Sequence, residues 1–121
     1  MFSTYDAPVY PYNQSTEQAS GQPARHQVVV IGAGPVGLTA ALDLAARGVS
    51  VVVLDDNNTV SVGSRAVCYA KRPLEIWDRL GVADRMIAKG VEWRLGKVFF
   101  GDRQVYQFDL LPEGGHKIPA F

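Results

Sequence analysis

Apolar and polar positions along this chain sort into short solid runs and helical stripes. Val28-Val29-Val30-Ile31 is a β-branched run with no polar interruption, the pattern of a strand buried on both faces. Leu38, Ala41, Leu42 and Ala45 then recur at helical spacing and predict a helix that lays this stripe on a sheet. Asp43 and Arg47 fall four apart on the outer face of that helix, with the acid on the favourable N-terminal side. Gly48 supplies a left-handed stop. A second solid run, Val51 to Leu54, predicts a second strand parallel to the first.

Beyond a polar loop from Asp56 to Gly63, residues 71–80 read as an amphipathic helix with Leu74, Ile76, Trp77 and Leu80 apolar. Val82 to Ala88 reads as a short second helix closed by Gly90. Trp93 to Phe100 and Gln104 to Leu110 are aromatic and β-branched runs around Gly101-Asp102-Arg103, which predicts an antiparallel hairpin. Trp93, Phe99, Phe100, Tyr106 and Phe108 are expected to serve ordinary strand packing. Pro112, Gly114, Gly115 and Pro119 mark a loop. The fold class is α/β, a βαβ unit followed by helices and a hairpin. Residues 1–26 are rich in Pro, Tyr, Ser and Gln without an apolar period, so a disordered, solvated N-terminal tail is expected, with residues 27–121 as the folded part.

Charge and composition narrow the partners. Among 121 residues, 12 Lys and Arg balance 12 Asp and Glu, which argues against a nucleic-acid footprint. No basic amphipathic stretch suits a membrane surface, and the apolar runs fall well short of the ~20 residues that cross a bilayer. The first residues lack the charged start and apolar run of a secretory signal. A cytoplasmic location is therefore expected. The single Cys68 forms no internal disulfide and is expected as a buried small residue. His26 is expected as an exposed polar boundary residue, and with His116 far from it no metal-ligand spacing exists.

The candidate chemistry lies where the first run meets glycine. Gly32-Ala33-Gly34-Pro35-Val36-Gly37 matches G-x-G-x-x-G, and each glycine has its own task in holding a dinucleotide. Gly32 lets the chain turn off the strand, Gly34 leaves no side chain between backbone and pyrophosphate, and Gly37 lets the helix lie close to the sheet. Pro35 suits a first helical turn, where its missing N–H has no internal partner. Amides around Gly34, Val36 and Gly37 then face a phosphate with the positive end of the helix dipole behind them. Asp55, at the carboxyl end of the second run, stands where a ribose-binding acid belongs. With Asp56 beside it, the site repels a 2′-phosphate and favours FAD or NAD over NADP.

The next segment bears on the choice of cofactor. Taken with GAGPVGL, the pattern Ser64-Arg65-Ala66 followed by Lys71-Arg72-Pro73-Leu74-Glu75-Ile76-Trp77-Asp78-Arg79-Leu80-Gly81-Val82 resembles the N-terminal part of the FAD-dependent aromatic-ring monooxygenases. The nearest branch comprises 3-(3-hydroxyphenyl)propionate hydroxylase and pentachlorophenol monooxygenase. The resemblance runs from about Gln27 onward. It implies FAD as cofactor and assigns Arg65 to the flavin pyrophosphate, a role that suits a fixed positive charge. Lys71 and Arg72 match the pattern but are expected on a solvated helix face. Many members carry Glu at the position of Asp55 and a basic residue at that of Asp56, so the acid's reach is modestly shortened here.

The same resemblance implies that NADH or NADPH reduces the flavin and that O2 then supplies one oxygen atom to a phenolic ring and one to water. The catalytic residues are unknown. Two parallel strands alone leave sheet edges and faces unsatisfied, so the chain is expected to be a truncated N-terminal portion that binds FAD weakly and turns nothing over. Two alternatives stay open: part of another FAD- or NAD-dependent oxidoreductase, and a non-catalytic short chain that associates with a partner.

Overall fold

The computed structural model describes residues 8–60, 68–112, 114 and 117–119. The chain divides into two compact units, Met1–Ser64 and Arg65–Phe121. The elements form an α/β arrangement with one small sheet in each unit.

In the first unit, β1 (Val28–Ile31) and β2 (Val51–Leu54) pair in parallel, from Val28 opposite Val51 to Ile31 opposite Leu54. The crossover between them is the helix that follows the glycine motif, and a one-turn helix, α1 (Thr16–Ser20), precedes β1. That crossover helix is α2 (Pro35–Ala46), and Gly48 ends it at φ 76°. The Arg47 guanidinium meets Asp43 at 3.2 Å, one turn away.

Burial in this unit is lighter than the solid apolar runs predict. β1 alternates half-buried and exposed residues, with Ile31 78% exposed, instead of being covered on both faces. Of the stripe Leu38, Ala41, Leu42 and Ala45, only Ala41 is buried. The reason is geometric: two strands about 4.8 Å apart present a strip narrower than a helix about 10 Å across, and α2 covers one face only.

The leading segment, expected as a disordered tail, carries α1 in its described part. Ser15 and Gln18 form a reciprocal capping box there, which satisfies two orphan backbone donors locally. Further upstream, Val9 forms an antiparallel bridge with Thr59, and the Tyr10 amide donates to the Asn58 carbonyl at 2.7 Å. His26 is exposed, as expected, and stands 3.7 Å from Glu17.

In the second unit, α3 (Lys71–Arg79) and α4 (Ala83–Ile87) lie within the expected helical ranges. Pro73 falls in the first turn of α3, where its lack of an amide costs no helical bond. Leu74, Trp77, Ala83 and Ile118 form the buried cluster, with Leu80, Val82, Met86 and Ile87 packed against it. Tyr69 meets Trp77 edge to face at 5.0 Å. Lys71 and Arg72 each reach Glu75 at 3.0 Å, which holds the Glu75 carboxyl below the usual range, Lys71 contributing most. Cys68 is exposed rather than buried; it lies in the irregular stretch before α3, where Tyr69 is the residue that meets the core.

β3 (Leu95–Phe100) and β4 (Arg103–Asp109) form the expected antiparallel hairpin, turning at Gly101 and Asp102. Its register slips between Val98 and Phe99, where Val105 is the extra residue of a bulge. Arg94 closes the open end on Asp109 at 2.6 Å, and the Leu111 amide donates to the same carboxylate. Strand packing accounts for only part of the aromatic set. Phe108 is half-buried, stacked on Tyr106 at 5.8 Å and edge-on to Trp93 at 6.3 Å, whereas Phe100 is 82% exposed and Phe99 and Tyr106 are exposed. A two-stranded ribbon has no second layer to cover them. No helix among the described residues is long and apolar enough to cross a membrane.

The second unit's stability rests on Trp77, which is 7% exposed at the centre of its cluster. Trp77→Ala is expected to cost about 3–5 kcal/mol, read as a lower midpoint in urea unfolding followed by tryptophan-independent circular dichroism.

Candidate functional site

The site is built where β1 and β2 end side by side. The parallel register puts Ile31 beside Leu54, and the Gly32 amide adds one further bond to the Leu54 carbonyl at 2.7 Å. Gly32 then leaves the strand at φ 99°, a conformation that a side chain would strain. This sharp exit turns the next amide back toward β2. The Ala33 amide donates to Asp55 Oδ2 at 2.6 Å.

Gly34 is the N-cap of α2, in extended backbone at φ −75° and ψ 177°, and Pro35 opens the helix. The first intrahelical acceptor is the Gly34 carbonyl, which takes the Leu38 amide at 2.9 Å. The amides of Val36 and Gly37 precede that bond and have no i−4 carbonyl within the helix. A Cβ on Gly34 would meet nothing within 4 Å, so open space lies over this end of the helix. Gly37 is different. A Cβ there would overlap the Gly32 carbonyl oxygen and stand 3.2 Å from Val30 Cγ1, so this glycine sets how closely α2 approaches β1.

Asp55 is held by two amides, Ala33 on Oδ2 and Asn57 on Oδ1 at 2.8 Å. These donors, Ala33 first, keep its carboxyl below the usual carboxylate range and therefore ionised at neutral pH. Asn57 also donates its side-chain amide to Asp56 Oδ1 at 2.8 Å. One residue thus orients two adjacent acids. The arrangement offers a compact array of backbone donors at the positive end of a helix, flanked by an acceptor with lone pairs still open: the donor set for a phosphate beside a hydroxyl-bearing sugar.

Of the residues expected at the site, Gly32, Gly34, Pro35, Val36, Gly37 and Asp55 converge within this turn. Arg65 lies outside the described residues. Sequence reasoning missed the Ala33 amide as Asp55's partner and Asn57 as the residue that orders both acids. The second had a signal, since Asp-x-Asn is suited to a side-chain turn onto the amide two residues on.

Comparison with known proteins identifies the family. Residues 25–118 match the family described as FAD binding domain. The chain is 40% identical over 83 residues to 6-methylpretetramide 4-monooxygenase of Streptomyces rimosus, covering 69% of this chain and 15% of that protein. It is 34% identical over 93 residues to a flavin-dependent monooxygenase of Mycobacteroides abscessus, covering 77% of this chain and 20% of that protein. Against pentachlorophenol 4-monooxygenase of Sphingobium chlorophenolicum the identity is 37% over 82 residues, covering 68% and 14%. The chain therefore spans between about a seventh and a fifth of the length of these curated relatives. With 94 matched residues from Arg25 to Ile118 that include the whole turn and both strands beside it, this chain belongs to the FAD binding domain family.

Proposed function

We propose that Gly32, Gly34, Pro35, Val36, Gly37 and Asp55 hold the ADP half of FAD in a flavoprotein monooxygenase that hydroxylates a phenolic or aromatic substrate with NAD(P)H and O2. The observation that carries this reading is the Asp55 carboxylate fixed on the Ala33 amide, which sets an ionised acceptor beside the N-terminal end of α2. FAD, when bound, supplies the redox chemistry; the chain's own residues bind and orient it. The pyrophosphate would lie over Gly34 against the Val36 and Gly37 amides, and Asp55 would accept from a ribose hydroxyl. Arg65 is proposed for the flavin pyrophosphate on its sequence pattern.

The finer architecture follows from the same reading. The unit β1–α2–β2 is the first βαβ of a Rossmann-type FAD-binding domain, to which residues 27–121 contribute the N-terminal portion, and the protein works in the cytoplasm. Names of relatives support an aromatic substrate: one acts on pentachlorophenol, and a hydroxylase of Mycolicibacterium vanbaalenii, 33% identical over 86 residues, on 3-(3-hydroxy-phenyl)propionate and 3-hydroxycinnamic acid. An NAD-dependent dehydrogenase would share the glycine turn and Asp55, but the match across residues 25–118 favours FAD.

Two glycine variants separate ligand binding from folding. Gly34→Ala is expected to leave the thermal melt near that of the parent, because its backbone is ordinary and its Cβ meets open space, yet to weaken FAD or ADP binding about tenfold, or about 1.4 kcal/mol. Gly37→Ala pushes on backbone and is expected to lower stability itself by about 1–3 kcal/mol. Calorimetric titration and a circular-dichroism melt read both, and undiminished affinity in Gly34→Ala would sink the assignment.

The acid makes a pH prediction. Its folded pKa is depressed, so the tie to Ala33 is complete above the unfolded value of about 3.9 and is lost as pH falls through the lower folded one. The Ala33 amide resonance is expected to titrate with a midpoint below that of a free aspartate. A midpoint at or above that value would contradict the carboxylate–amide bond.

A further inference from the structure

Residues 8–24 lie outside the stretch that matches the FAD binding domain family, yet their backbone reaches the loop that carries the candidate ribose acid. The Tyr10 amide donates to the Asn58 carbonyl at 2.7 Å, and Val9 bridges Thr59. Asn58 is three residues beyond Asp55. The loop between them is organised from inside by Asn57, whose backbone amide binds Asp55 and whose side chain binds Asp56. Its near end is fixed by β2, and its far end by the Val9–Tyr10 segment.

The connection back to β1 is itself closed by local contacts. Tyr12 donates its hydroxyl to Gln18 Oε1 at 3.0 Å, Gln18 completes the capping box with Ser15, and Glu17 faces His26 at 3.7 Å just before β1. The excursion from Tyr12 to His26 is thus stapled at both ends through α1. Gly21 ends that helix at φ 67° and sends the chain toward β1.

We infer that Pro8–Tyr12 is a strap that fixes the loop after β2 and thereby presets Asp55 and Asp56 for the adenosine half of a dinucleotide. Tyr10 is a positioning residue and acts through its main-chain amide, not its ring. The inference rests on the ADP-binding reading of the same turn. Its energetic logic is preorganisation: a loop held in its bound arrangement gives up less conformational freedom when the ligand arrives. Because Asp55 is also held by Ala33, the strap adds to an acid already placed, so its effect on affinity is modest.

Tyr10→Pro tests this directly. Proline removes the donor, and the extended backbone it imposes on Val9 suits a residue already in a β-bridge. In the full chain, calorimetric titration with ADP is expected to show roughly three- to tenfold weaker binding in Tyr10→Pro, with Tyr10→Phe and Tyr10→Ala near the parent because both keep the amide. Inorganic pyrophosphate, which lacks the ribose, serves as the second probe and is expected to bind the parent and Tyr10→Pro alike. The loss in Tyr10→Pro is further expected to shrink when Asp55→Asn is already present, a coupling that a general loss of stability would not produce. If Gly34→Ala weakens ADP binding and Tyr10→Pro does not, the strap is wrong and the site stands. If the parent binds no ADP, the site reading fails and the strap with it.

Discussion

One hydrogen bond joins everything that matters in the first unit: the Ala33 amide on the Asp55 carboxylate. It links the turn after β1 to the end of β2, two points far apart in sequence that the parallel register brings together. It exists only because Gly32 leaves its strand at positive φ, and the turn stays tight only because Gly37 carries no Cβ against the Gly32 carbonyl. The same bond, with a second from Asn57, keeps the acid ionised and aimed. Loosening any of the three residues would separate the N-terminal end of α2 from the Asp55 carboxylate, the two groups proposed to share the ligand.

The two units divide their tasks by composition. In the first, Ala41 alone is buried among the described residues, and the proposed binding chemistry falls to main-chain donors and an exposed carboxylate. The second holds the only buried cluster among the described residues, around Trp77, and a hairpin whose open end is closed by Arg94 on Asp109. That ion pair depresses the Asp109 pKa, Arg94 being the larger cause, and is exposed, so it fixes geometry more than it stabilises.

The elements that depend on nearest neighbours were legible in the sequence. β1, α2 and β2, the stop at Gly48, the helices around Trp77 and the hairpin all follow local periodicity or turn chemistry. So did the convergence of the glycines with Asp55, because the motif encodes a spacing as well as residue types. What escaped is set by what lies alongside. Ile31 is exposed although its run is wholly apolar, since burial depends on a covering layer that the run cannot specify. The bulge at Val105 and the exposure of Phe100 depend on cross-strand register, and Cys68 is exposed while Tyr69 beside it meets Trp77 edge-on, a choice that residue type alone does not fix. The Val9–Thr59 bridge has no sequence signal at all, for a single pair of main-chain bonds needs no particular side chain.

The central claim is that one end of α2 and the acid after β2 together bind the ADP part of a flavin cofactor. The most direct test is an amide NMR titration of the chain with ADP. The account predicts saturable shifts concentrated at Gly34, Val36, Gly37 and Asp55, with the Trp77 cluster unmoved. Saturable shifts centred elsewhere, or none at millimolar ADP, would contradict it.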